Sequence, residues 1–153
     1  MDKMDRKILQ CLQSDATLSI AEISERIGLS QTPCWRRIQN LEANGTIKKR
    51  VALLDRHRMN VGVTVFVSLK TNQHSREWLE NFAQIVEQFP EVLEFYRMSG
   101  GVDYLLKIVV PDIAAYDDVY KRIIEKVDLF DVSSAFAMEE IKCETQLPLD
   151  YAK

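Results

Sequence analysis

The residues best suited to chemistry in this chain lie between Ser30 and Glu42, in the run Ser-Gln-Thr-Pro-Cys-Trp-Arg-Arg-Ile-Gln-Asn-Leu-Glu. At helical spacing Cys34, Ile38 and Leu41 share one apolar face. Gln31, Thr32, Trp35, Arg36, Gln39 and Asn40 then occupy the opposite face, and Arg37 completes a basic pair with Arg36. Arginine forks onto the O6 and N7 atoms of guanine, and glutamine or asparagine onto adenine, so this face suits the major groove of double-stranded DNA. Ser30, Thr32 and the helix N-terminus suit phosphate oxygens. Lys48, Lys49 and Arg50 follow closely and are placed for backbone phosphates, where they add affinity and little sequence information. Trp35 either touches DNA or packs at the edge of the domain.

The charge distribution agrees. From Arg26 to Arg58 eight Lys/Arg face two acids, while the whole chain carries −3. Residues 1–60 hold 11 basic and 7 acidic residues, and residues 61–153 hold 9 and 16. A basic first part expects a polyanionic partner, and an acidic second part repels one.

Other chemistries find little support. The two histidines, His57 and His74, have no nucleophile or carboxylate partner at catalytic spacing. Glu139 and Glu140 are adjacent and would point to opposite faces of a strand. Cys11, Cys34 and Cys143 are odd in number and widely spaced, which argues against a disulfide framework or a zinc site and for free thiols. No apolar run approaches the ~18–20 residues that cross a bilayer. The opening Met-Asp-Lys-Met-Asp-Arg-Lys lacks the apolar stretch of a signal peptide, so the expected location is cytoplasmic, with no membrane partner.

The elements that must position these residues follow from periodicity. Asp2 or Asp5 can cap a first helix with Ile8, Leu9 and Leu12 inward. Ser19 and Glu22 form a capping box for a second helix, which buries Ile20, Ile23 and Ile27 and stops at Gly28. Ser30 caps the third helix, with Pro33 in its first turn, where a missing N–H does no harm. Three short helices with a Gly28-Leu29-Ser30 turn match helix-turn-helix geometry. Thr46–Leu54 then reads as an extended wing or linking strand, and Asp55–Asn60 as a hinge.

From Val61 the period changes to two. Val61, Val63, Val65, Val67 and Leu69 alternate as a strand. Ser75 caps a helix with Leu79, Phe82, Ile85, Val86 and Phe89 inward, stopped by Pro90. Strands over Val92–Met98 and Tyr104–Val110 flank the turn Ser99-Gly100-Gly101-Val102-Asp103. A helix from Asp112 buries Ile113, Tyr116, Val119, Ile123 and Ile124, and a last strand spans about Val132–Ile141. This βαββαβ order predicts a ferredoxin-like sheet with two helices on one face. The other face would show Phe66, Tyr96, Met98 and Phe136 or their neighbours, and an uncovered apolar face predicts self-association. The expected fold class is therefore α+β, with a helix-turn-helix domain over 1–60 and a βαββαβ domain over 61–153.

Six pieces in order make the chain resemble the Lrp/AsnC, or feast/famine, regulators. They are Asp5-Arg6-Lys7-Ile8-Leu9, Leu29–Cys34, Arg37-Ile38-x-x-Leu41-Glu42, Val51–Asp55, Gly100-x-x-Asp103-Tyr104-Leu105-Leu106 and Met138–Lys142. The resemblance implies a DNA-binding regulator, not an enzyme. It implies homodimers assembling to tetramers or octamers and no cofactor. The implied effector is an amino acid, with cysteine, leucine or methionine as candidates. The Thr32–Trp35 and Phe136–Lys142 wording looks most like a cysteine-responsive branch. The family places the effector between subunits near the turn that is Ser99–Asp103 here, flanked by Met98 and Tyr104. Gly100 and Gly101 would let the backbone approach a small zwitterion. Asp103 would hold its ammonium group or a backbone amide, and Ser133 and Ser134 would supply hydroxyls from a second subunit. Two other readings compete: an enzyme similar to the sirohaem decarboxylases, and an amino-acid-binding assembly protein without DNA binding.

Overall fold

The computed structural model describes residues 1–153 and forms two compact units. One comprises Met1–Leu53 with Lys142–Lys153, and the other Leu54–Ile141. Pattern alone places the division at residue 60 and gives the final segment to the sheet. The structure instead draws Lys142–Lys153 into the first unit, because Leu149 packs on its apolar core.

In the first unit α1 spans Lys3–Ser14, α2 Ile20–Ile27 and α3 Gln31–Ala43. Asp2 is the N-cap of α1, and Asp5 completes a reciprocal capping box with it. Ser19 and Glu22 do the same for α2. Gly28 ends α2 at φ +73°, in the left-handed region where a side chain costs energy, and this sets the sharp entry into α3. Ser30 stands at the N-cap of α3, but its side chain makes no capping hydrogen bond. Ile8, Leu9, Leu18, Ile23, Ile27, Cys34, Ile38 and Leu41 form one buried core. Burial pushes the Cys34 thiol above its ordinary range. The wing expectation needs a narrower statement. Ile47 N–H donates to the Leu41 carbonyl, and from Lys48 to Leu54 the chain pairs with no strand.

In the second unit β1 (Val63–Lys70), α4 (Arg76–Val86), β2 (Val92–Arg97), β3 (Tyr104–Val110), α5 (Ile113–Ile124) and β4 (Asp131–Phe136) follow in chain order. The sheet order is β2-β3-β1-β4, with every neighbour antiparallel. Val65, Val67 and Leu69 face Ile108, Leu106 and Tyr104 on the covered side. There Phe82 is fully buried and meets Phe95 and Tyr104 edge to face.

Four expectations shift. β4 ends at Phe136 rather than Ile141. Register pairs Phe136 with Val65, so its ring lies on the covered face against Tyr116, not on the open one. On α5 only Tyr116, Val119 and Ile123 are buried, while Ile113 and Ile124 stay exposed. Ile124 follows Ile123 by about 100° of helix rotation, enough to leave the stripe. Residues 55–61 form a closed turn rather than a loose hinge. The Asp55 carboxylate accepts from the His57 and Arg58 amides, Val61 N–H donates to the Arg56 carbonyl, and Asn60 sits at φ +56°.

The open face carries Phe66, Leu105, Lys107, Glu94 and Tyr96. Lys107 donates to Glu94 at 3.0 Å and the Tyr96 hydroxyl donates to it at 2.8 Å. Lys107 first, and then Tyr96, holds the Glu94 carboxyl below its usual range.

Phe82 touches Trp78, Phe95 and Tyr104, so Phe82→Ala should open a cavity that the sheet cannot close. We expect a loss of about 3–5 kcal/mol in urea unfolding followed by circular dichroism. A loss below about 1 kcal/mol would show that the site collapses freely.

Candidate nucleic-acid interface and effector turn

The back of α3 fixes its front. Cys34, Ile38 and Leu41 are at most 4% exposed, so the helix has one rotational setting. In that setting Ser30, Gln31, Thr32, Trp35, Arg36, Gln39 and Asn40 are all exposed. Trp35 is 48% exposed, a large aromatic surface beside Arg36. Lys48, Lys49 and Arg50 are exposed as well. Arg36, Asn40 and Asn44 line a cleft of 390 Å³ together with Arg37 and Asp5.

The two adjacent arginines have different surroundings. The Arg37 guanidinium turns towards α1 and donates from Nη1 to Asp2 at 2.6 Å and to Asp5 at 2.7 Å. These carboxylates raise the Arg37 pKa, Asp5 first. The Asp5 backbone amide, and after it Arg37, holds the Asp2 carboxyl below the usual range. Arg37 therefore ties α3 to the first turn of α1. Two of the DNA-facing candidates, Arg50 and Gln39, share one acidic neighbour. Glu42 accepts from Arg50 at 2.9 Å and from Gln39 at 3.1 Å.

The turn between β2 and β3 is locked by Asp103. Its amide donates to the Leu69 carbonyl at 2.9 Å, and its carbonyl accepts from Met98 at 2.8 Å. Its carboxylate accepts from the Thr71 amide at 2.9 Å. Met98, Ser99, Gly100 and Gly101 project beyond this anchor and are exposed. Gly100 has φ +113°, and a side-chain carbon added at Gly100 or Gly101 would meet nothing within 4 Å. The other expected effector residues scatter. Tyr104 is buried among Trp78, Phe82 and Phe95. Ser134 lies on the covered face and bonds the Tyr116 hydroxyl, while Ser133 lies on the open face opposite Ser68. One chain thus presents the turn and the serines separately.

Residues 64–147 match the Lrp/AsnC ligand binding domain, and residues 1–48 match a winged helix-turn-helix DNA-binding domain. The chain belongs to the Lrp/AsnC family. It is 62% identical to an AsnC family transcriptional regulator from Agrobacterium tumefaciens, whose crystal structure superposes with a TM-score of 0.98 over 100% of both chains. It is 54% identical over 149 residues to the glutamate uptake regulatory protein of Zymomonas mobilis, covering 97% of this chain and 91% of that protein. A transcriptional regulator of Neisseria meningitidis solved as its complex with L-methionine is 36% identical, with a TM-score of 0.92 over 98% of this chain and 97% of that one. The Lrp/AsnC match carries the winged helix-turn-helix and the ferredoxin-like sensing fold together. The chain is a DNA-binding transcriptional regulator with an amino-acid-sensing domain. No helix in it is long and apolar enough to cross a membrane.

Sequence reasoning did not foresee the carboxylate pair on Arg37. The signal was present in Asp2 and Asp5, which stand at the N-cap and in the first turn of α1 and hold more oxygens than the cap uses.

The Asp2–Arg37 attraction needs the carboxylate. A lowered folded pKa makes its stabilisation complete above the ordinary Asp range near pH ~4, and lost as pH falls through the folded value. Unfolding midpoints of wild type and Asp2→Asn, measured from pH 7 downwards, should differ at neutral pH and converge in acid. Parallel curves at all pH values would remove the charge from the account.

Proposed function

We propose that the exposed face of α3 reads an operator, with Arg36, Gln39 and Asn40 at base edges and Lys48, Lys49 and Arg50 at phosphates. Ser30, Gln31 and Thr32 lie at the helix N-terminus, where backbone N–H groups favour phosphate oxygens. Trp35 flanks the same face. Arg37 acts behind them as a brace rather than as a reader. The observation that carries this reading is the different pairing of two adjacent arginines, Arg37 held by the carboxylates of Asp2 and Asp5 and Arg36 exposed on the outer face of α3. The reading assigns DNA binding to the unit of Met1–Leu53 with Lys142–Lys153, and effector binding with assembly to Leu54–Ile141.

The effector is a small amino acid taken up at Ser99–Gly101, with its carboxylate on backbone N–H groups and its ammonium near Asp103. Ser133, on the open face of the sheet, completes the site from a second subunit in a homodimer or larger ring. The open glycines support this, as does the methionine bound by the Neisseria relative. Methionine, leucine and cysteine, and glutamate from the Zymomonas relative's name, form the first panel. No cofactor is part of the reading, and a DNA-binding regulator works in the cytoplasm, beside its DNA.

The deciding experiment is fluorescence anisotropy on a duplex from the gene's own upstream region and on a scrambled duplex, at two salt concentrations. We expect salt-dependent preference for the first duplex. Arg36→Ala should cost about 1–3 kcal/mol on the preferred duplex only, and Lys49→Ala should weaken both alike. Equal losses on both duplexes for both variants would sink the division of labour. Absence of preference would favour an assembly protein without DNA binding.

Asp103→Asn keeps an acceptor for the Thr71 amide and removes the negative charge. Isothermal titration with the panel should show amino-acid affinity falling about tenfold, the cost of roughly one charge-assisted hydrogen bond. Unchanged affinity would place the ammonium elsewhere.

A further inference from the structure

The first unit is built from two separate stretches of chain, so the sheet unit is an insertion within it and the chain passes between them twice. The first passage, at Leu53–Leu54, is an ordinary linker. The second, after Ile141, ends in a segment docked on α1. The Gln13 side chain clips both polar atoms of the Leu147 peptide, accepting from its N–H at 2.6 Å and donating to its carbonyl at 3.2 Å. Arg6 donates to the Ala152 carbonyl at 2.6 Å, and Leu149 packs on the core.

This docking is marginal. Four hydrogen bonds reach the segment from the rest of its unit, the fourth from the Met1 ammonium to the Lys153 carbonyl at 3.1 Å, and all but that of Arg6 are exposed to water, so each adds little. Twelve residues, Lys142–Lys153, must be ordered by those bonds and one partly buried leucine. A segment held by so few contacts can release while the core of its unit stays folded, which is the kind of two-state element that coupling between sites requires.

The root of the segment is held by charge. Met138 and Ile141 are 95% and 90% exposed, so apolar packing does not fix it. Glu140 instead pairs with Arg56 Nη2. Arg56 Nη1 donates to the buried Thr64 hydroxyl at 2.6 Å, and the Ala137 N–H donates to the Thr64 carbonyl at 2.9 Å. Arg56 belongs to the closed turn of residues 55–61, which carries the first passage. One guanidinium therefore sets both passages where they leave the sheet unit.

We propose that Lys142–Lys153 is a releasable strap on the DNA-binding unit and that Arg56 is the positioning residue that controls its docking through Glu140. The regulatory half of this rests on the amino-acid reading above: effector binding alters DNA affinity by changing how often the strap is docked.

The test uses the full-length chain as wild type, Arg56→Ala, and the charge exchange Arg56→Glu with Glu140→Arg. Two quantities are measured: hydrogen exchange of the Leu147 amide, and the ratio of DNA affinities with and without a bound amino acid. In Arg56→Ala the Leu147 amide should exchange at least about fivefold faster and the affinity ratio should move towards one, the range of ordinary coupling. The charge exchange should restore both. Amino-acid binding by calorimetry and the thermal midpoint of the sheet unit should stay near wild type, which a merely structural role for Arg56 would not allow. Unchanged Leu147 exchange in Arg56→Ala overturns the proposal, and so does failure of the exchanged pair to restore it. If strap exchange follows Arg56 while no amino acid changes DNA affinity even in wild type, the effector reading fails and control of the strap by Arg56 stands.

Discussion

The rotational setting of α3 is the constraint on which the first unit depends. Three residues, Cys34, Ile38 and Leu41, are buried, and a helix with three buried anchors along one stripe has no freedom to roll. Every other assignment follows from that phase. Neighbours in sequence lie about 100° apart on the helix. Arg37 therefore swings towards α1 and two carboxylates, while Arg36 remains on the outer face. An arginine pair that looks uniform in sequence is divided by geometry into a brace and a reader. The brace matters because a reading helix gains specificity only when its side chains arrive in one register.

The sheet unit obeys a different period with the same consequence. Alternation along β1 sends Val65, Val67 and Leu69 to the helices and Phe66 and Ser68 to the open side. The open side is not simply apolar. Lys107, Glu94 and Tyr96 form a hydrogen-bonded group beside Phe66 and Leu105. If a second copy covers this face, that group arrives already paired, which limits the desolvation penalty of burying charge. A single register is then preferred, since sliding would leave Glu94 or Lys107 facing an apolar neighbour.

Much of this architecture was legible from spacing alone. Capping residues at Asp2, Ser19, Ser75 and Asp112 all stand where helices begin, because a cap is a local bargain between a side chain and nearby amides. The βαββαβ order was legible because the hydrophobic period changes abruptly at Val61. What escaped was non-local. The face of Phe136 depends on the register between β4 and β1, and a shift of one residue reverses it. The Asp103 anchor on Thr71 joins residues distant in sequence, so the turn reads equally as a hairpin or as a ligand loop. Docking of Lys142–Lys153 is invisible to hydrophobic pattern, because Gln13 grips backbone atoms that every sequence possesses.

That last feature bears on how sensing and reading are divided. The core of the first unit is local: Ile8, Ile23, Ile27, Cys34, Ile38 and Leu41 all lie within α1, α2 and α3. These buried residues come from three helices adjacent in sequence, and a regulator benefits from a reading head that stays intact in every state. The strap adds few contacts, and those are mostly exposed. Sparse contact is a weakness in a core and an advantage in a coupling element, since a signal worth only 1–3 kcal/mol, roughly the size of ordinary allosteric coupling, can then move the population substantially. The chain keeps its cooperative packing in the two cores and leaves the marginal contacts on the segment that returns from the sensor to α1.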